Sequence, residues 1–530
     1  MEKIAAGNGA ESDCPNYVMR ILTALAGRPD EIVVKWRDQR ITAREFLGST
    51  VAAARQMQEL GVDRTHTVAA LSASNSPTVI YTRYAAHLLG ARLVHILSVN
   101  ANSAAESLAE GQQVDILNEV GATLLAVDIE SLDVARRLVD QVKGPLKLAS
   151  YGAGDARVDA DLSAGKSDDG VLPEPRPIVE DDTATIIYTS GTTGKPKGIC
   201  RSFGAWHRET VAAMDQVKRM NLGASSYLVT IPLSNAGISV DSVLAHEGFV
   251  LLHEQFDAGR VLETVERERV GGTFWATQHL YQILDHPRLD DVDTSSLRLV
   301  MYGGTPISAA RIQQAVDRFG PIFVQYYGTT ESRRISALMP ADHRDPHRLA
   351  SAGRPVPTVQ VVIRDPDTGA DLETNVAGEV CVRTPGMMTE YFLDPVRTEQ
   401  ALRGGWLHTG DIGYLDETGY LYLIDRMHQV VKANGIKIYP AEIERVLLSH
   451  PAVARASVIK VRDADLRDSI RAYVEPRATG SDLTSGELAA FVAGKMSALH
   501  VPAVIELVSH LATTQFGKAD TQALLLTHGA

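Results

Sequence analysis

Short apolar runs and helical repeats alternate along the first part of the chain. The run Val68–Leu71 predicts a buried strand, the segment from about Pro77 to Leu89 predicts a helix, and Leu93–Ile96 predicts the next strand. A strand, a helix and a second strand with short connections are typical of a mostly parallel sheet. The pattern therefore predicts an α/β fold for this region.

Polar positions mark the ends of the elements. Ile32–Val34 and Arg40–Ile41 flank a polar pair and predict a hairpin, after which Thr42 is placed to cap a helix that ends before Gly61. The segment Gly152–Asp182 is rich in Gly, Asp, Ser and Pro, so we expect an exposed connection there. Strands and helices alternate again after it. From Tyr420 onward the elements are shorter and predict a small α+β unit of about a hundred residues.

Composition and charge narrow the class of protein. Of the 530 residues, 45% are hydrophobic and 22% are charged, as in ordinary globular proteins. The net charge of −13 argues against a nucleic acid or an anionic membrane as the partner. The few cysteines lack CxxC spacing and the N-terminus lacks a secretory pattern, so we expect a cytoplasmic protein without a disulfide framework or a zinc cluster. The apolar stretch Thr78–Val99 is interrupted by Arg83, His87 and Arg92, so we expect no transmembrane segment.

One loop, at residues 188–198, carries the strongest chemical signal. It reads YTSGTTGKPKG and directly follows an apolar run. Glycines let backbone N–H groups approach oxygens, hydroxyls donate hydrogen bonds and lysines neutralise charge, which suits the leaving phosphates of a nucleotide. Proline follows Lys195, so this is not a Walker A loop, and the alternative interpretation is a solvated Gly/Thr turn. The candidate phosphate ligands are Thr189, Ser190, Gly191, Thr192, Thr193, Gly194, Lys195 and Lys197.

This loop and the motifs after it resemble, in the same order, those of the adenylate-forming enzymes, which include acyl-CoA synthetases, peptide-synthetase adenylation domains and luciferases. The later motifs are YGGTP at 302–306, YYGTTE at 326–331, WLHTGD at 406–411, the run 429–444 and Gly517-Lys518. The resemblance implies a large N-terminal domain, residues 1–425, with two stacked α/β subdomains and a small β-barrel. It also implies a small mobile α+β lid domain, residues 426–530, with a hinge near 425–428 that includes His428.

The resemblance also assigns roles to residues. Tyr327 would stack on adenine, Asp411 would accept both ribose hydroxyls and Arg426 would also reach the ribose, although a surface ion pair is the alternative for Arg426. Thr330 would touch the α-phosphate, and Glu331 would hold Mg²⁺, a hard cation that prefers carboxylate oxygen. The nucleotide-binding set after the phosphate loop is then Gly303, Gly304, Thr305, Tyr326, Tyr327, Gly328, Thr329, Asp411 and Arg426.

The lid domain would supply the remaining contacts. Lys518 matches the mobile lysine of the family, whose ammonium bridges the carboxylate and the α-phosphate while pyrophosphate leaves. The implied catalytic residues are therefore Lys518, Glu331 and Thr330. The implied contacts to coenzyme A lie in a hairpin, for which a merely solvated hairpin is the alternative, and they are Lys432, Asn434, Gly435 and Lys437.

The acyl pocket is placed by position in the motifs. Its wall would be largely apolar and without a Lys or Arg to pair a second carboxylate, so we expect a hydrophobic acid rather than a dicarboxylate or an amino acid. For Trp275 the alternative is a simple core position. The predicted wall is Asn235, Ala236, Gly237, Trp275, Ala276 and Tyr302, with Gly303 and Gly328 beside it.

The sequence thus predicts an ATP-dependent acyl-CoA ligase that uses ATP, Mg²⁺ and coenzyme A. Departures from the family pattern at Phe203, Asn235, His428 and Thr521 leave a member specialised for one half-reaction open. Such a member would thioesterify a supplied acyl-adenylate, or would adenylate an acid and load a carrier protein. A non-catalytic nucleotide-binding protein is the alternative of another class, and a homodimer is compatible with the sequence.

Overall fold

The computed structural model describes residues 16–72, 74–97, 108–152, 157–166, 178–189, 196–219, 226–305, 307–433, 436–462, 468–477, 482–512 and 520–528. These residues fall into two compact units, one within 1–99, 108–254 and 385–395, and the other within 255–384 and 396–530. Across the described ranges, every helix is too short or too polar to cross a bilayer.

Helices and strands alternate through most of the described chain. The helices are α1 Tyr17–Ala26, α2 Ala43–Glu59, α3 Pro77–Leu88, α4 Glu110–Glu119, α5 Leu132–Val139, α6 Phe203–Arg219, α7 Leu233–Leu244, α8 Ala258–Glu268, α9 Thr277–Leu284, α10 Ala309–Phe319, α11 Pro395–Ala401, α12 Pro440–Leu448, α13 Ser485–Lys495 and α14 Thr521–His528. The first strands are β1 Ile32–Trp36, β2 Gln39–Thr42, β3 Thr67–Ser72, β4 Arg92–Leu97, β5 Leu124–Asp128, β6 Lys147–Tyr151, β7 Ala160–Asp161, β8 Thr183–Thr189, β9 Lys197–Ser202, β10 Ser226–Val229 and β11 Phe249–Leu252. The later strands are β12 Gly272–Ala276, β13 Leu299–Gly303, β14 Phe323–Thr329, β15 Arg333–Leu338, β16 Arg354–Pro355, β17 Gln360–Arg364, β18 Gly378–Arg383, β19 Glu390–Tyr391, β20 Leu407–Leu415, β21 Leu421–Arg426, β22 Val431–Ala433, β23 Ile436–Ile438, β24 Val453–Arg462, β25 Asp468–Pro476 and β26 Val504–Leu507.

The first unit is built on parallel strands. One sheet has the order β19-β9-β8-β4-β3-β5-β6-β7, in which the strands from β8 to β7 pair in parallel and β9 and β19 pair antiparallel. Its core is apolar on the strands, for example at Leu71, Val94 and Ile186, which are fully buried. In the same unit β10, β11 and β1 pair in parallel, and β2 forms the predicted hairpin with β1.

The second unit contains three kinds of sheet. The strands β12, β13 and β14 are parallel, and β15 and β16 continue them antiparallel. Where a small β-barrel is predicted, the structure has a four-stranded antiparallel sheet in the order β17-β18-β20-β21. After it come the hairpin β22-β23 and the sheet β24-β25-β26, with α12 and α13. The mixed α/β fold with a smaller C-terminal α+β part is confirmed.

Local signals in the sequence explain several element ends. Thr42 caps α2 as predicted: its hydroxyl accepts the Glu45 N–H at 3.2 Å, and the Glu45 carboxylate accepts the Thr42 N–H at 2.8 Å. The expected connection Gly152–Asp182 differs in one respect, because β7 pairs with β6 inside it. This strand has only two residues, Ala160 and Asp161, and Asp159 anchors it by accepting the Leu148 N–H at 2.7 Å, so a hydrophobic pattern could not predict it.

Candidate functional site

Two predicted motifs of the second unit meet at the carboxyl ends of parallel strands. Tyr302 pairs with Gln325 and Gly303 pairs with Tyr326, so the residues after β13 and those at the end of β14 lie side by side. Ligands of parallel α/β sheets bind at this edge. The structure therefore brings together the predicted residues Gly303, Gly304, Thr305, Tyr326, Tyr327, Gly328 and Thr329.

Two glycines make this close approach feasible. A Cβ on Gly303 would lie 2.3 Å from the Tyr326 carbonyl oxygen, and a Cβ on Gly328 would lie 1.8 Å from the Arg333 carbonyl oxygen. Any larger residue would force the strands apart at the edge where the predicted nucleotide lies. Both glycines are thus required by backbone packing around the site.

The predicted ribose residues Asp411 and Arg426 form one cluster with Tyr327, the residue predicted to stack on adenine. The Tyr327 hydroxyl donates to Asp411 Oδ2 at 2.6 Å, and Arg426 Nε lies 3.3 Å from Asp411 Oδ1. Asp411 is buried, with 7% of its surface exposed, and is paired with Arg426 across β20 and β21. Burial, and then the Asp411 charge, hold the pKa of Tyr327 well above its usual range, so its hydroxyl stays protonated and donates. Tyr327 and Arg426 therefore hold the Asp411 carboxylate, which is the group of this cluster that can accept from hydroxyl groups.

The turn after β14 presents the predicted catalytic and metal residues. The Thr329 N–H donates to the Ser332 hydroxyl at 3.0 Å, and the Ser332 N–H donates to the Thr329 hydroxyl at 3.0 Å. These bonds brace the turn that carries Thr330 and Glu331, whose side chains are half-buried. Sequence reasoning missed Ser332, although a hydroxyl residue three positions after Thr329 is a recognisable turn signal.

The predicted phosphate loop joins two antiparallel strands of the first unit. Thr189 ends β8, Lys197 begins β9, and the two residues are paired across the hairpin. Lys197 is half-buried, with its ammonium 5.8 Å from the centre of the Tyr391 ring. A strand–loop–strand hairpin agrees with the expectation that this is not a Walker A loop, which leads into a helix. The predicted ligands Ser190, Gly191, Thr192, Thr193, Gly194 and Lys195 lie outside the described residues.

One part of the predicted acyl wall lies at the start of α7 in the first unit. Asn235 is half-buried and Ala236 is buried, whereas Gly237 packs over two large side chains. A Cβ on Gly237 would lie 3.3 Å from the Trp206 ring and 3.4 Å from the Arg83 guanidinium carbon. Beneath Gly237, Arg83 forms a two-fold ion pair with Asp241, with N–O distances of 2.7 and 2.6 Å. Sequence reasoning missed this pair, for which the only signal is one charge in each of two apolar helices.

The other part of the predicted wall lies on β12 and β13 in the second unit. Trp275 and Ala276 pair with Tyr302 and Gly303. The rings of Trp275 and Tyr302 are fully buried, and the Tyr302 hydroxyl bonds to His343 Nε2 at 2.9 Å. His343 Nδ1 lies 2.8 Å from the Met339 carbonyl oxygen, so this nitrogen carries the proton and Nε2 accepts from Tyr302. Both rings therefore serve as core side chains behind the strand edge.

The predicted hinge is tied to the helix that follows it. Asp425 Oδ2 accepts the Ala441 N–H at the start of α12 at 2.8 Å, and Arg445 donates to the Leu423 and Ile424 carbonyls at 2.5 and 3.0 Å. Burial raises the pKa of Asp425. His428 is exposed. Lys432 and Lys437 are paired in the backbone of the hairpin β22-β23, whereas Asn434, Gly435 and Lys518 lie outside the described residues.

Comparison with known proteins agrees with this arrangement. The family described as AMP-binding enzyme matches residues 22–392, and the one described as AMP-binding enzyme C-terminal domain matches residues 442–518. The medium/long-chain-fatty-acid–CoA ligase FadD8 of Mycobacterium tuberculosis is 28% identical over 98% of this chain and 93% of its own length. The feruloyl-CoA synthase of Amycolatopsis sp is 35% identical over 65% of this chain and 70% of its own length.

A solved structure is similar over nearly the whole chain. It is the amide bond synthetase McbA from Marinactinospora thermotolerans, with a TM-score of 0.85 and 33% identity over 97% of this chain and 100% of that chain. The matches to FadD8 and to McbA each cover nearly the whole chain. The chain therefore belongs to the AMP-binding enzyme family, the adenylate-forming enzymes that its motifs resemble.

Proposed function

We propose that this chain is an ATP-dependent acid–thiol ligase that activates a hydrophobic carboxylic acid as an acyl-adenylate and transfers the acyl group to coenzyme A. The observation that carries the proposal is the cluster of Tyr327, Asp411 and Arg426 at the strand edge. A buried carboxylate beside an aromatic ring suits the ribose and base of a nucleotide, because ribose hydroxyls donate and the base stacks. The CoA ligases among its relatives support the choice of acceptor.

In the first half-reaction a carboxylate oxygen of the acid attacks the α-phosphorus of ATP. The bond from that phosphorus to the oxygen bridging to the β-phosphate breaks, and pyrophosphate leaves with the electron pair. The Gly/Thr loop at 190–195 is assigned to the leaving phosphates, and the ammonium of Lys518 is assigned to the charge that accumulates at the reacting centre. Both assignments rest on the order of the motifs along the chain.

The turn at Thr330 and Glu331 fits a magnesium ion. It offers a hydroxyl and a carboxylate oxygen, the donor type that Mg²⁺ prefers, and the bonds between Thr329 and Ser332 hold the turn in place. We assign Glu331 as the protein ligand. When bound, the ion would neutralise phosphate charge.

In the second half-reaction the thiol of coenzyme A attacks the activated carbonyl carbon and AMP leaves. We assign residues 1–425 to the acid- and nucleotide-binding domain and residues 426–530 to a lid that rotates near 425–428. The hairpin residues Lys432, Asn434, Gly435 and Lys437 are assigned to coenzyme A. Rotation about this hinge would break or move the bonds that Asp425 and Arg445 make, so we assign to these two residues the role of restraining the proposed lid.

The substrate acid is proposed to be hydrophobic. Ala236 and Gly237 offer no polar side chain at the start of α7, and Asn235 contributes an uncharged polar group. Arg83, which lies beneath Gly237, is paired at both Asp241 oxygens and is not available to bind a second carboxylate. The use of ATP and coenzyme A, together with free Cys200 and Cys381, supports a cytoplasmic enzyme.

A second candidate function is amide formation. Its support is the 33% identity to an amide bond synthetase over 97% of this chain. The first half-reaction is then the same, but an amine nitrogen attacks the acyl-adenylate and loses a proton as AMP leaves. The two functions therefore share the nucleotide cluster and differ in the acceptor.

The test separates adenylation from transfer. Purified protein is incubated with ATP, Mg²⁺ and a panel of aliphatic and aromatic acids, and acid-dependent exchange of labelled pyrophosphate into ATP is measured. Products are then identified by mass spectrometry with coenzyme A, a primary amine or a carrier protein bearing phosphopantetheine. The proposal predicts acid-dependent exchange and a CoA thioester. An amide alone would favour the second candidate, and absence of exchange with every acid would contradict both.

Replacing Lys518 tests whether this residue acts in adenylation and not in thioester formation. Lys518→Ala should lower acid-dependent exchange by on the order of a thousandfold, because an ammonium in a water-excluded site contributes several kcal/mol to transition-state stabilisation. Thioester formation from supplied acyl-adenylate should persist. The matched control is Lys495→Ala, which removes a lysine at the end of α13 and should leave both steps unchanged. Equal loss of both steps in Lys518→Ala would contradict the assignment.

A further inference from the structure

A buried carboxylate lies directly behind the strand that carries Asp411. Glu379 on β18 has 2% of its surface exposed, and its Oε1 accepts the Gly410 N–H at 3.2 Å. Its Oε2 lies 2.8 Å from His408 Nδ1 and 3.1 Å from an Arg403 guanidinium nitrogen. Both carboxylate oxygens thus bind groups of the segment that leads into Asp411.

The pairing of β18 with β20 shows why such a carboxylate is needed. Glu379 pairs with Ile412 and Cys381 pairs with His408, so Val380 alone faces the three residues 409–411. This bulge removes regular ladder bonds from the residues before Asp411. The bonds are replaced by side chains: Glu379 accepts the Gly410 N–H, and the Thr409 hydroxyl donates to the Val380 carbonyl at 2.7 Å.

The bulge sets the direction of Asp411. The Asp411 N–H donates to the Thr409 hydroxyl at 3.1 Å, and Gly410 has a φ of 72°, a conformation that favours glycine. The Gly410 carbonyl in turn accepts the Met427 N–H at 2.8 Å, which fixes the residue after Arg426. Glu379 therefore holds the turn from β18, and the Thr409 hydroxyl holds it from within the bulge of β20.

We propose that Glu379 is a positioning residue for nucleotide binding: its carboxylate, through Gly410 and His408, holds the bulge that presents Asp411 to the ribose hydroxyls. The inference rests on the proposed function, since it takes Asp411 as the ribose acceptor. Glu379 lies behind the strand and does not itself contact the nucleotide.

The nearby thiol does not change this assignment. Cys381 Sγ lies 3.3 Å from His408 Nδ1, so Glu379, Cys381 and His408 could in principle hold a metal ion. Burial, and then the charge of Glu379, raise the pKa of the Cys381 thiol to about 12, so the sulfur stays protonated at neutral pH. Both Glu379 oxygens already have donors, and an arginine at Oε2 opposes a cation there. The geometry favours a hydrogen-bonded cluster.

The test is Glu379→Gln, with Glu373→Gln as the matched control. Gln keeps the shape and one acceptor oxygen, but its NH₂ group cannot accept, so it cannot serve both the Gly410 N–H at Oε1 and the His408 and Arg403 donors at Oε2. Glu373 is exposed in the loop between β17 and β18. We expect the KM for ATP to rise about tenfold in Glu379→Gln with kcat within about threefold, because one charged hydrogen-bond acceptor is lost. The control should be unchanged.

Discrimination between ATP and a ribose analogue should not change if Glu379 has only a structural role, so we use this discrimination as the second measurement. Native protein should prefer ATP over 2′-deoxy-ATP, and Glu379→Gln should lose most of that preference. A variant that discriminates as well as native protein, or that only lowers the melting temperature, overturns the inference. Native protein without acid-dependent exchange would instead overturn the proposed function. The inference is also overturned if native protein binds one zinc ion per chain and Cys381→Ser does not, because His408 Nδ1 would then hold a metal.

If Glu379→Gln does not fold, Thr409→Val and Arg403→Met carry the test. Thr409→Val removes the hydroxyl that bridges Val380 and Asp411, and Arg403→Met removes a half-exposed donor to Glu379. We expect discrimination between ATP and 2′-deoxy-ATP to fall about fivefold in Thr409→Val and less in Arg403→Met. Unchanged discrimination in both variants overturns the inference.

Discussion

Two buried polar clusters lie behind predicted ligand-binding residues, and they are built differently. In the first unit, Arg83 and Asp241 behind Gly237 are 3% and 0% exposed and bind each other at both oxygens. In the second unit, Glu379 behind Asp411 binds backbone N–H and imidazole groups, and its cationic partner Arg403 is 52% exposed. One cluster is an ion pair closed within the core, and the other is a carboxylate that shapes a turn.

The comparison indicates that one cluster contributes to folding stability and the other to nucleotide binding. A fully buried ion pair costs desolvation, and removing one partner leaves an unpaired charge in the core. A carboxylate that serves backbone groups at a bulge acts on local geometry instead. We therefore expect changes in the Arg83–Asp241 cluster to act on folding, and changes in the Glu379 cluster to act on nucleotide affinity.

The largest effect is expected from Asp241→Asn. The change leaves the Arg83 guanidinium buried without a counter-charge and weakens the bonds from Tyr84 and Trp206, so the unfolding free energy should fall by about 3–5 kcal/mol. Chemical denaturation followed by circular dichroism measures it. The matched variant Arg403→Met removes a half-exposed partner of Glu379 and should cost at most about 1 kcal/mol. A loss below about 1 kcal/mol in Asp241→Asn would contradict the comparison. The double variant Arg83→Met, Asp241→Leu should recover much of the lost unfolding free energy, because neither charge then remains in the core.

The next effect is a pH dependence of the unfolding free energy that we assign to His87, whose pKa is affected by the Arg83 charge. The Tyr17 hydroxyl lies 2.7 Å from His87 Nδ1, and His87 Nε2 lies 3.1 Å from the Ala184 carbonyl oxygen, so the imidazole is held neutral with its proton on Nε2. Burial, and then the Arg83 charge, lower the pKa of His87 to about 3. The unfolded chain therefore binds a proton that the folded chain does not, between about pH 6.5 and pH 3, and stability falls as the pH is lowered through this window.

The measurement is the unfolding free energy as a function of pH. At about pH 5, His87 alone should lower native stability by about 2 kcal/mol relative to pH above 7. His87→Gln should be less stable at neutral pH because the Tyr17 contact changes, but it should lose less on acidification. His428→Gln, at an exposed position, should keep the native pH slope. Equal slopes in native protein and His87→Gln would contradict the assignment of this pH dependence to the first cluster.

The sequence predicted the elements and motif positions better than the clusters behind them. Periodicity and capping predicted α2, α3, β3 and β4, because the apolar faces and the Thr42–Glu45 box are local. The partners of the two clusters are not local: Arg83 and Asp241 are 158 positions apart, and Glu379 and His408 are 29 apart. Their contact depends on helix packing in one case and on the bulge between β18 and β20 in the other, neither of which a single sequence displays.

The sequence pattern also could not predict which way a side chain points in a strand that is buried on both faces. The motifs predict Trp275 and Tyr302 at the acyl wall, with a core position as the alternative for Trp275, and both rings are buried in the structure. Strands buried on both faces are apolar throughout, so alternation cannot tell which side chains face the ligand. Tyr327, Asp411 and Arg426 are assigned to the nucleotide by the resemblance of their motifs to those of the adenylate-forming enzymes, and the structure brings their side chains together.

The smallest effect is expected from Tyr327→Phe, which sharpens the comparison at the nucleotide site itself. Phe keeps the ring for stacking and removes the hydroxyl that donates to Asp411 Oδ2 at 2.6 Å. Because a carboxylate oxygen has two lone pairs, Tyr327 can hold the carboxylate while Oδ2 also accepts from ribose, so loss of the hydroxyl should raise the KM for ATP about fivefold. Asp411→Asn, measured beside it, should raise that KM about tenfold or more, with little change in unfolding free energy for either variant. If Tyr327→Phe instead bound ATP more tightly, the Tyr327 hydroxyl would compete with the ribose for Asp411. Glu379 and Arg426 would then orient Asp411 without the help of Tyr327.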